Sequence, residues 1–401
     1  MSTLILQPAE PRRRPGHPPR FALWELGFRP FYLLAALLAL LSVPLWALQF
    51  GGWLQHAWLR GPLWHAHEML FGYTLAVVVG FLYTAGRNWS GQATPRGAAL
   101  AALAALWLAA RVLVLTPWGV AAALANVAFP FAAAWGLWRA LRRGGNRRNH
   151  FFVALLVLLA LAAAVFHLAQ LGVQGLPLPG RTAITVGLDV VVFMVAVMGG
   201  RVIPGFSNNG VPGMTATRQP RLEQAALGGV LALLAADVLQ WQGAGLAALL
   251  VVLLLLHATR LALWQPWKTL GTPLVWVLHA AYAWLPVHLG LRAAAELGWI
   301  APGPAVHALT LGVIATITLG MITRTALGHT GRPLRASAVE TAAFLAIQAA
   351  ALTRVLPPLV EPAWLLAAVH VSSTCWTLAY ALYLARYLPM LVRPRIDALP
   401  G

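Results

Sequence analysis

Charge and cysteine are both scarce in this chain of 401 residues. Charged residues make up 9%, against the roughly 25% that a water-facing surface carries, which excludes an ordinary soluble domain. Acids are the scarcer sign, with 10 Asp and Glu against 28 Lys and Arg. The basic excess does not gather into one face or tail, which argues against nucleic-acid binding. The bases stand between apolar runs, where charge fixes membrane orientation. The single cysteine, Cys375, lies in an apolar stretch. One cysteine excludes an intramolecular disulfide, a cysteine-held iron–sulfur cluster and a C-x-x-C-H covalent haem. Any metal or haem must therefore rest on His, Met or carboxylate.

Apolar residues are plentiful, at 60% of the chain with a mean hydropathy of +0.74. A spanning helix needs roughly 20 mostly apolar residues. Cutting the runs at Gly, Pro and Arg predicts twelve helices, near 30–50, 66–86, 98–115, 118–141, 150–171, 182–203, 222–241, 243–264, 273–294, 303–324, 338–356 and 361–388. The expected fold is an all-α polytopic membrane helix bundle occupying 21–390. A basic, Pro-rich tail is expected at 1–20, disordered and cytoplasmic, with a short cytoplasmic tail at 391–401. The first apolar run is too long for a signal-peptide core, so it reads as a retained helix. Met69, Met194, Met198 and Met321 fall in membrane runs and read first as packing or lipid-facing.

With the N-terminus inside, most arginines fall on the cytoplasmic side. Arg60, Arg111, Arg181, Arg292 and Arg354 fall on the other. That asymmetry predicts a bacterial inner-membrane protein with both termini cytoplasmic. A weak internal repeat accompanies it. The second, sixth and tenth helices run down to Gly-Arg87, Gly-Gly-Arg201 and Gly-Met-Ile-Thr-Arg324. Three four-helix arcs are how haem–copper oxidase core subunits are built, an architectural analogy only.

Ionisable groups in hydrocarbon are costly and usually functional. Most of the 12 His lie within or at the ends of apolar runs. Trp64-His65-Ala66-His67-Glu68-Met69 opens the second helix at its outer end. His65 and His67 are two residues apart and face different ways, so one can serve as an axial haem or copper ligand and the other a second site. Glu68 can orient an imidazole through its ring N–H, or simply be solvated at a helix start. By depth, His167, His288, His307 and His370 join them in an outer belt, while His257, His279 and His329 lie lower. Any one of these is more often a helix–helix hydrogen-bonding group; collectively they fit a bundle-embedded haem or copper. Asp189 and Asp237 are the acids placed inside helices, and Asp189 reads as a proton relay, an ion-pair partner or a structural group. Tyr282 shares a face with His279. Arg324 and Arg332, around Gly328-His329-Thr330-Gly331, can bind haem propionates or serve only as positive-inside charges.

Several motifs resemble those of one family. They are Gly27-Phe28-Arg29-Pro30-Phe31, Trp64 to Met69, Gly199-Gly200-Arg201-Val202-Ile203-Pro204, Leu278-His279 with Tyr282-Ala283-Trp284, His307-Ala308-Leu309-Thr310, and Met321 to Arg324 running into Ala326 to Arg332. Collinear from about residue 21 to the C-terminal tail, they are similar to the NnrS family. The resemblance implies a twelve-helix membrane protein containing haem b and copper, tied to nitric oxide metabolism, denitrification or protection from nitrosative stress. It also implies that His65, His67, His279, His307 and His329 occupy the family's histidine positions. Nitric oxide is the implied ligand, and any enzyme activity would be that of an oxidoreductase with an unknown electron donor. Two other readings stand beside it: a secondary transporter without redox cofactor, which fits the helix count equally, and a haem-based sensor or metal-handling factor.

Overall fold

In a computed structural model, which describes residues 21–54 and 61–397, the chain is helical with no strand among the described residues. The predicted basic tail at 1–20 and Arg60 lie outside the described residues. Twelve long rods follow one another. They are α1 Phe28–Phe50, α2 Gly61–Ser90, α3 Ala98–Leu113, α4 Gly119–Arg143, α5 Phe151–Gln170, α6 Gly180–Gly210, α7 Pro220–Val238, α8 Ala244–Leu263, α9 Pro273–Glu296, α10 Pro302–His329, α11 Ala338–Val360 and α12 Leu365–Val392. Ten are long and apolar enough to cross a membrane, α3 is a shorter apolar helix, and α7, which carries Arg221, Glu223 and Asp237, is neither. The chain is an all-α, multi-pass membrane helix bundle.

The local chemistry sets the rod ends. Pro stands in the first turn of α7, α9 and α10, where its missing N–H costs nothing. Ser337 and Glu340 form a reciprocal capping box that starts α11. Gly91 ends α2 in the left-handed region, at φ 64°.

Consecutive rods pack side by side, and α12 returns to lie against α1, closing the ring. Arg29 secures that seam. From the first turn of α1 it donates to the carbonyls of Leu391 at 3.0 Å and Arg393 at 2.7 Å, at the end of α12. Leu41, Leu124, Trp135, Leu255 and Leu345 point outward from their rods, exposed as a lipid-facing surface should be.

The most enclosed rods are α2, α6 and α10, whose apolar windows are 78%, 67% and 78% buried, against 39% for α4, α11 and α12. These are the second members of three successive four-helix arcs. They meet around a central apolar cavity of about 90 Å³, lined among others by Thr74, Phe81, Met194, Met198, Thr318 and Met321. Three of the four methionines read as packing groups thus face this cavity; Met69 does not line it.

Neither α2 nor α10 is α-helical throughout. Each contains one π-helical stretch, Glu68–Thr74 and Ala308–Ala315. Each stretch begins directly after a histidine of the outer belt, His67 and His307. Five residues on, each carries a glycine wedged against a neighbour. A Cβ on Gly72 would lie 2.6 Å from Arg111 Nη1, and one on Gly312 would lie 2.4 Å from Trp284 Cγ. The repeat is therefore deeper than the Gly/Arg endings suggest, with His-x4-Gly opening both rods. Such π insertions turn side chains off the regular helical register and recur at functional sites.

Candidate functional site

The π turn at the head of α2 separates His65 from His67. His67 is fully buried and points into the bundle. Arg111, from α3, donates to Glu68 Oε1 at 2.9 Å, so the carboxylate acts as an acceptor there. His67 Nδ1 lies 2.8 Å from the same oxygen and carries the proton that bond needs. The Nε2 lone pair of His67 is left facing Nε2 of His167, on α5, at 3.0 Å. Arg111 also donates to Asn126 on α4, whose amide in turn donates to the carbonyl of Ala122 at 2.8 Å. Trp107 donates to the carbonyl of Gly72 at 3.1 Å, pinning the π turn itself. Four rods thus converge on one imidazole pair whose charge partner is already neutralised.

His65 faces elsewhere, stacked on Trp46 at 5.2 Å and 15°, with its buried Nδ1 lacking a partner among the described residues. His307 donates from Nδ1 to the carbonyl of Gly303 at 2.9 Å. A carbonyl only accepts, so Nε2 of His307 keeps its lone pair. His307 and Arg354 are the electrostatic neighbours of His65. His370 lies at the end of α1, where a Cβ on Gly51 would stand 3.1 Å from its Nε2. His288 is fixed in the same tautomer as His307, donating from Nδ1 to the carbonyl of Ala305 at 2.8 Å. The histidines assigned by depth to the outer belt divide into the His67–His167 pair, the His65–His307 group, His288 apart, and His370 beside Gly51.

Asp189 joins neither group. Its Oδ1 is 3.9 Å from Arg292 Nη1, and Arg292 also donates to Asp237. The two acids and one arginine tie α6, α7 and α9 together.

A second buried centre sits toward the arginine-rich side. Arg260 grips both oxygens of Glu223, at 3.0 and 2.9 Å, and donates to the carbonyl of Ala196 and to the phenol of Tyr282. Tyr282 meets His257 Nδ1 at 2.6 Å. With Arg260 donating to the phenol oxygen, the phenolic proton serves His257 Nδ1, which leaves Nε2–H of His257 buried without a partner. Gly200 explains its own motif: a Cβ there would lie 2.3 Å from Arg260 Nη2 and 2.5 Å from Glu223 Oε2. His279, which shares a face with Tyr282, bonds a different partner. Its Nε2 bonds Ser207 at 2.8 Å, and because Ser207 Oγ donates to Ile203, Nδ1 of His279 retains an unshared lone pair.

His329, Arg324 and Arg332 lie farther along the same side. His329 ends α10 rather than standing in the loop after it, and it packs on Phe28 at 5.6 Å between ring centres. Arg324 stacks over Phe206 at 3.9 Å, and Arg332 donates to the carbonyl of Thr330 at 3.4 Å. All three are separated from His65, His67 and His307 by the length of α2 or α10; Arg354 is the arginine near His65 and His307, and Arg111 the one beside the His67–His167 pair.

Sequence reasoning places Arg111 among outer loop charges and does not single out Asn126, Glu223 or Arg260. The structure buries all four. Two signals for them exist: the glycines at Gly72 and Gly200, each of which leaves room for a buried guanidinium.

Among the described residues no three His, Cys, Asp or Glu side chains are gathered into a ready metal cage. The family pattern described as "NnrS protein" matches residues 22–395, nearly the whole chain, while a search of curated proteins finds no match. That span takes in both π turns, both buried Arg–Glu centres and the closing seam, and the chain belongs to the NnrS family, which makes it at family level a membrane protein related to nitric oxide.

Proposed function

We propose that this protein binds copper and haem b within the bacterial inner membrane, both termini cytoplasmic, and acts in nitric oxide metabolism or nitrosative-stress protection. The observation that carries the reading is the His67–His167 pair. Two imidazoles meet through Nε2, and Glu68 holds the far nitrogen of one of them, the second-sphere arrangement that raises ligand basicity. His67 and His167 are the residues that would hold copper, with Glu68 fixing the first of them. A cuprous or cupric ion there would supply one-electron chemistry and a ligand position. The facing donors of this pair are imidazole nitrogens, which suit copper better than a hard cation. For haem b, His65 and His307 are the residues that would hold the group, with Arg354 beside both to meet a propionate.

The chain's own contribution is positional. Arg111 keeps Glu68 ionised and fixed, Glu68 keeps the His67 tautomer, and the π turn aims both. The central cavity, apolar except for Thr74 and Thr318, admits a small uncharged molecule such as nitric oxide from the lipid and excludes ions.

The test is an optical spectrum with pyridine haemochrome and metal quantitation on detergent-purified, haem-replete protein. Copper near one per chain, lost in His67→Ala and His167→Ala while haem stays, supports the copper assignment. Haem lost in His307→Ala while copper stays supports the haem assignment. A well-folded protein holding neither would overturn both and turn attention to transport assays.

A further inference from the structure

Five arginines, Arg139, Arg142, Arg143, Arg147 and Arg148, stand close together at the end of α4 and in the loop to α5. All five are exposed. The sequence has no acid between Glu68 and Asp189, and among the described residues none of the five is paired with a carboxylate. Elsewhere at that end of the bundle arginines have acids beside them. Arg218 meets Glu223 at 3.3 Å, Arg386 meets Glu340 at 3.3 Å, and Arg395 meets Asp397 at 2.6 Å. The α4–α5 loop is thus a concentrated positive charge that no side chain bonded to it balances.

Charges that only set membrane orientation act by number and need no fixed shape. These stand on a fixed frame. Gly144 packs so closely on the end of α2 that a Cβ would lie 2.2 Å from the carbonyl oxygen of Ser90, and Gly145 turns the chain at φ 65°. The Asn146 side chain donates to the carbonyl of Trp89 at 2.7 Å and accepts from the backbone and side-chain N–H groups of Asn149 at 3.2 and 3.0 Å. Arg201, from α6, donates to Asn149 at 2.9 Å. Both α2 and α6 therefore hold the loop in place.

The helix face that leads into the loop is aromatic. Trp135 and Trp138 stack at 4.8 Å, and Arg142, one turn on, lies over the Trp138 ring at 4.9 Å. Trp135 is 58% exposed and continues the outward apolar surface of Leu124 and Phe131. At 1.5 Å per residue, Trp138 stands about 7 Å below Arg143 along the axis, the step from headgroup to upper acyl chain where tryptophan gathers in membranes.

We propose that the end of α4 and the α4–α5 loop bind an anionic phospholipid. Its phosphate lies among the arginines on the two sides of the Gly144-Gly145 turn, and its acyl chains run down α4 along Trp135 and Phe131. Guanidinium forks match phosphate oxygens, and fixed basic clusters at a membrane surface select anionic headgroups. The apolar face running directly from the arginines points to a lipid rather than a free phosphate ion, which would have no use for it. The site is independent of which cofactor the outer histidines hold.

Native mass spectrometry of the full chain in detergent, titrated with phosphatidylglycerol and phosphatidylcholine of identical acyl chains, reads this directly. Phosphatidylglycerol should bind at least tenfold more tightly. One arginine near an anionic lipid is worth about fivefold in affinity, so Arg142→Gln/Arg143→Gln should weaken phosphatidylglycerol at least tenfold and leave phosphatidylcholine unchanged. Lys268→Gln/Arg335→Gln removes the same charge from exposed positions in two other loops and should alter binding less than twofold. Trp138→Leu keeps every charge and should still weaken phosphatidylglycerol at least twofold. All these side chains are exposed or half-buried, so the fold should survive each change. Equal affinity for the two lipids, equal losses in the two double variants, no loss in Trp138→Leu, or displacement of the lipid by excess inorganic phosphate would each overturn the proposal.

Discussion

The buried charges of this protein come in matched sets, and each set shows what a single side chain is worth in a medium without water. Glu68 and Arg111 are both enclosed and bonded at 2.9 Å. Removing one partner leaves the other charged and alone, which costs about 3–5 kcal/mol where removing both costs little. Arg111→Ala is therefore expected to lower the unfolding midpoint of the purified protein strongly, and the double variant Arg111→Ala/Glu68→Gln to recover most of the loss. A midpoint for the double variant no higher than for the single would refute the pairing. The sequence made Glu68 legible because it adjoins His67 in a polar cluster. Arg111 was not, since it lies 43 residues away on another rod, and a lone arginine near a helix end looks like a topology charge. The same blindness covers Arg260 and Glu223, 37 residues apart. Depth along a helix can be counted in a sequence, which is how His65, His67, His167, His288 and His307 could be singled out together. Which nitrogen faces which neighbour cannot be counted.

At the scale of the element, the rods lie where apolar runs and Gly/Pro punctuation put them, because lipid forces every backbone group to be satisfied within its own helix. Most bounds agree with the sequence reading within a few residues. Larger departures are at α2, which starts five residues earlier, at α6, which continues past Pro204 to Gly210, and at α10, which continues to His329. The π stretches were not legible as such, since a π turn is set by what packs against it. The spacing His67-x4-Gly72 and His307-x4-Gly312 is visible only once its meaning is known. A methyl group added at Gly312 meets the Trp284 ring at 2.4 Å, whereas at Gly303 it meets nothing within 4 Å. Overpacking a filled site costs about 1–3 kcal/mol. Gly312→Ala should thus destabilise the protein and Gly303→Ala should not, by thermal unfolding in one detergent; equal midpoints would show that the π turn of α10 has room to relax.

For the whole molecule, three arcs of four rods close into a ring around α2, α6 and α10, and the seam between α1 and α12 closes it. Arg29 bonds the last carbonyls of α12 there, and the backbone N–H of Ala22 donates to the carbonyl of Val392 at 2.8 Å. Charged hydrogen bonds contribute about 1.5–3 kcal/mol apiece, so Arg29→Ala should loosen this edge before any other. The expected sign is proteolytic cleavage near residue 393 at protease levels that leave the parent intact. Cleavage first at the α4–α5 loop instead would locate the weak edge elsewhere. The arcs were partly legible, as Gly/Arg endings recurring once per four helices. The closure was not, because first and last residues carry no mark of being neighbours.

That closure makes the choice of where the polypeptide starts arbitrary. Residues 22 and 392 are in hydrogen-bond contact, and each arc has an even number of rods, so each begins and ends at the same end of the bundle. A gene rearranged to begin at Asn146, between the first and second arcs, with residues 21 and 396 joined by a short linker, preserves every crossing direction and every inter-rod contact. Such a circular permutant should insert and fold as the parent does, with the arcs entering the membrane in a new order.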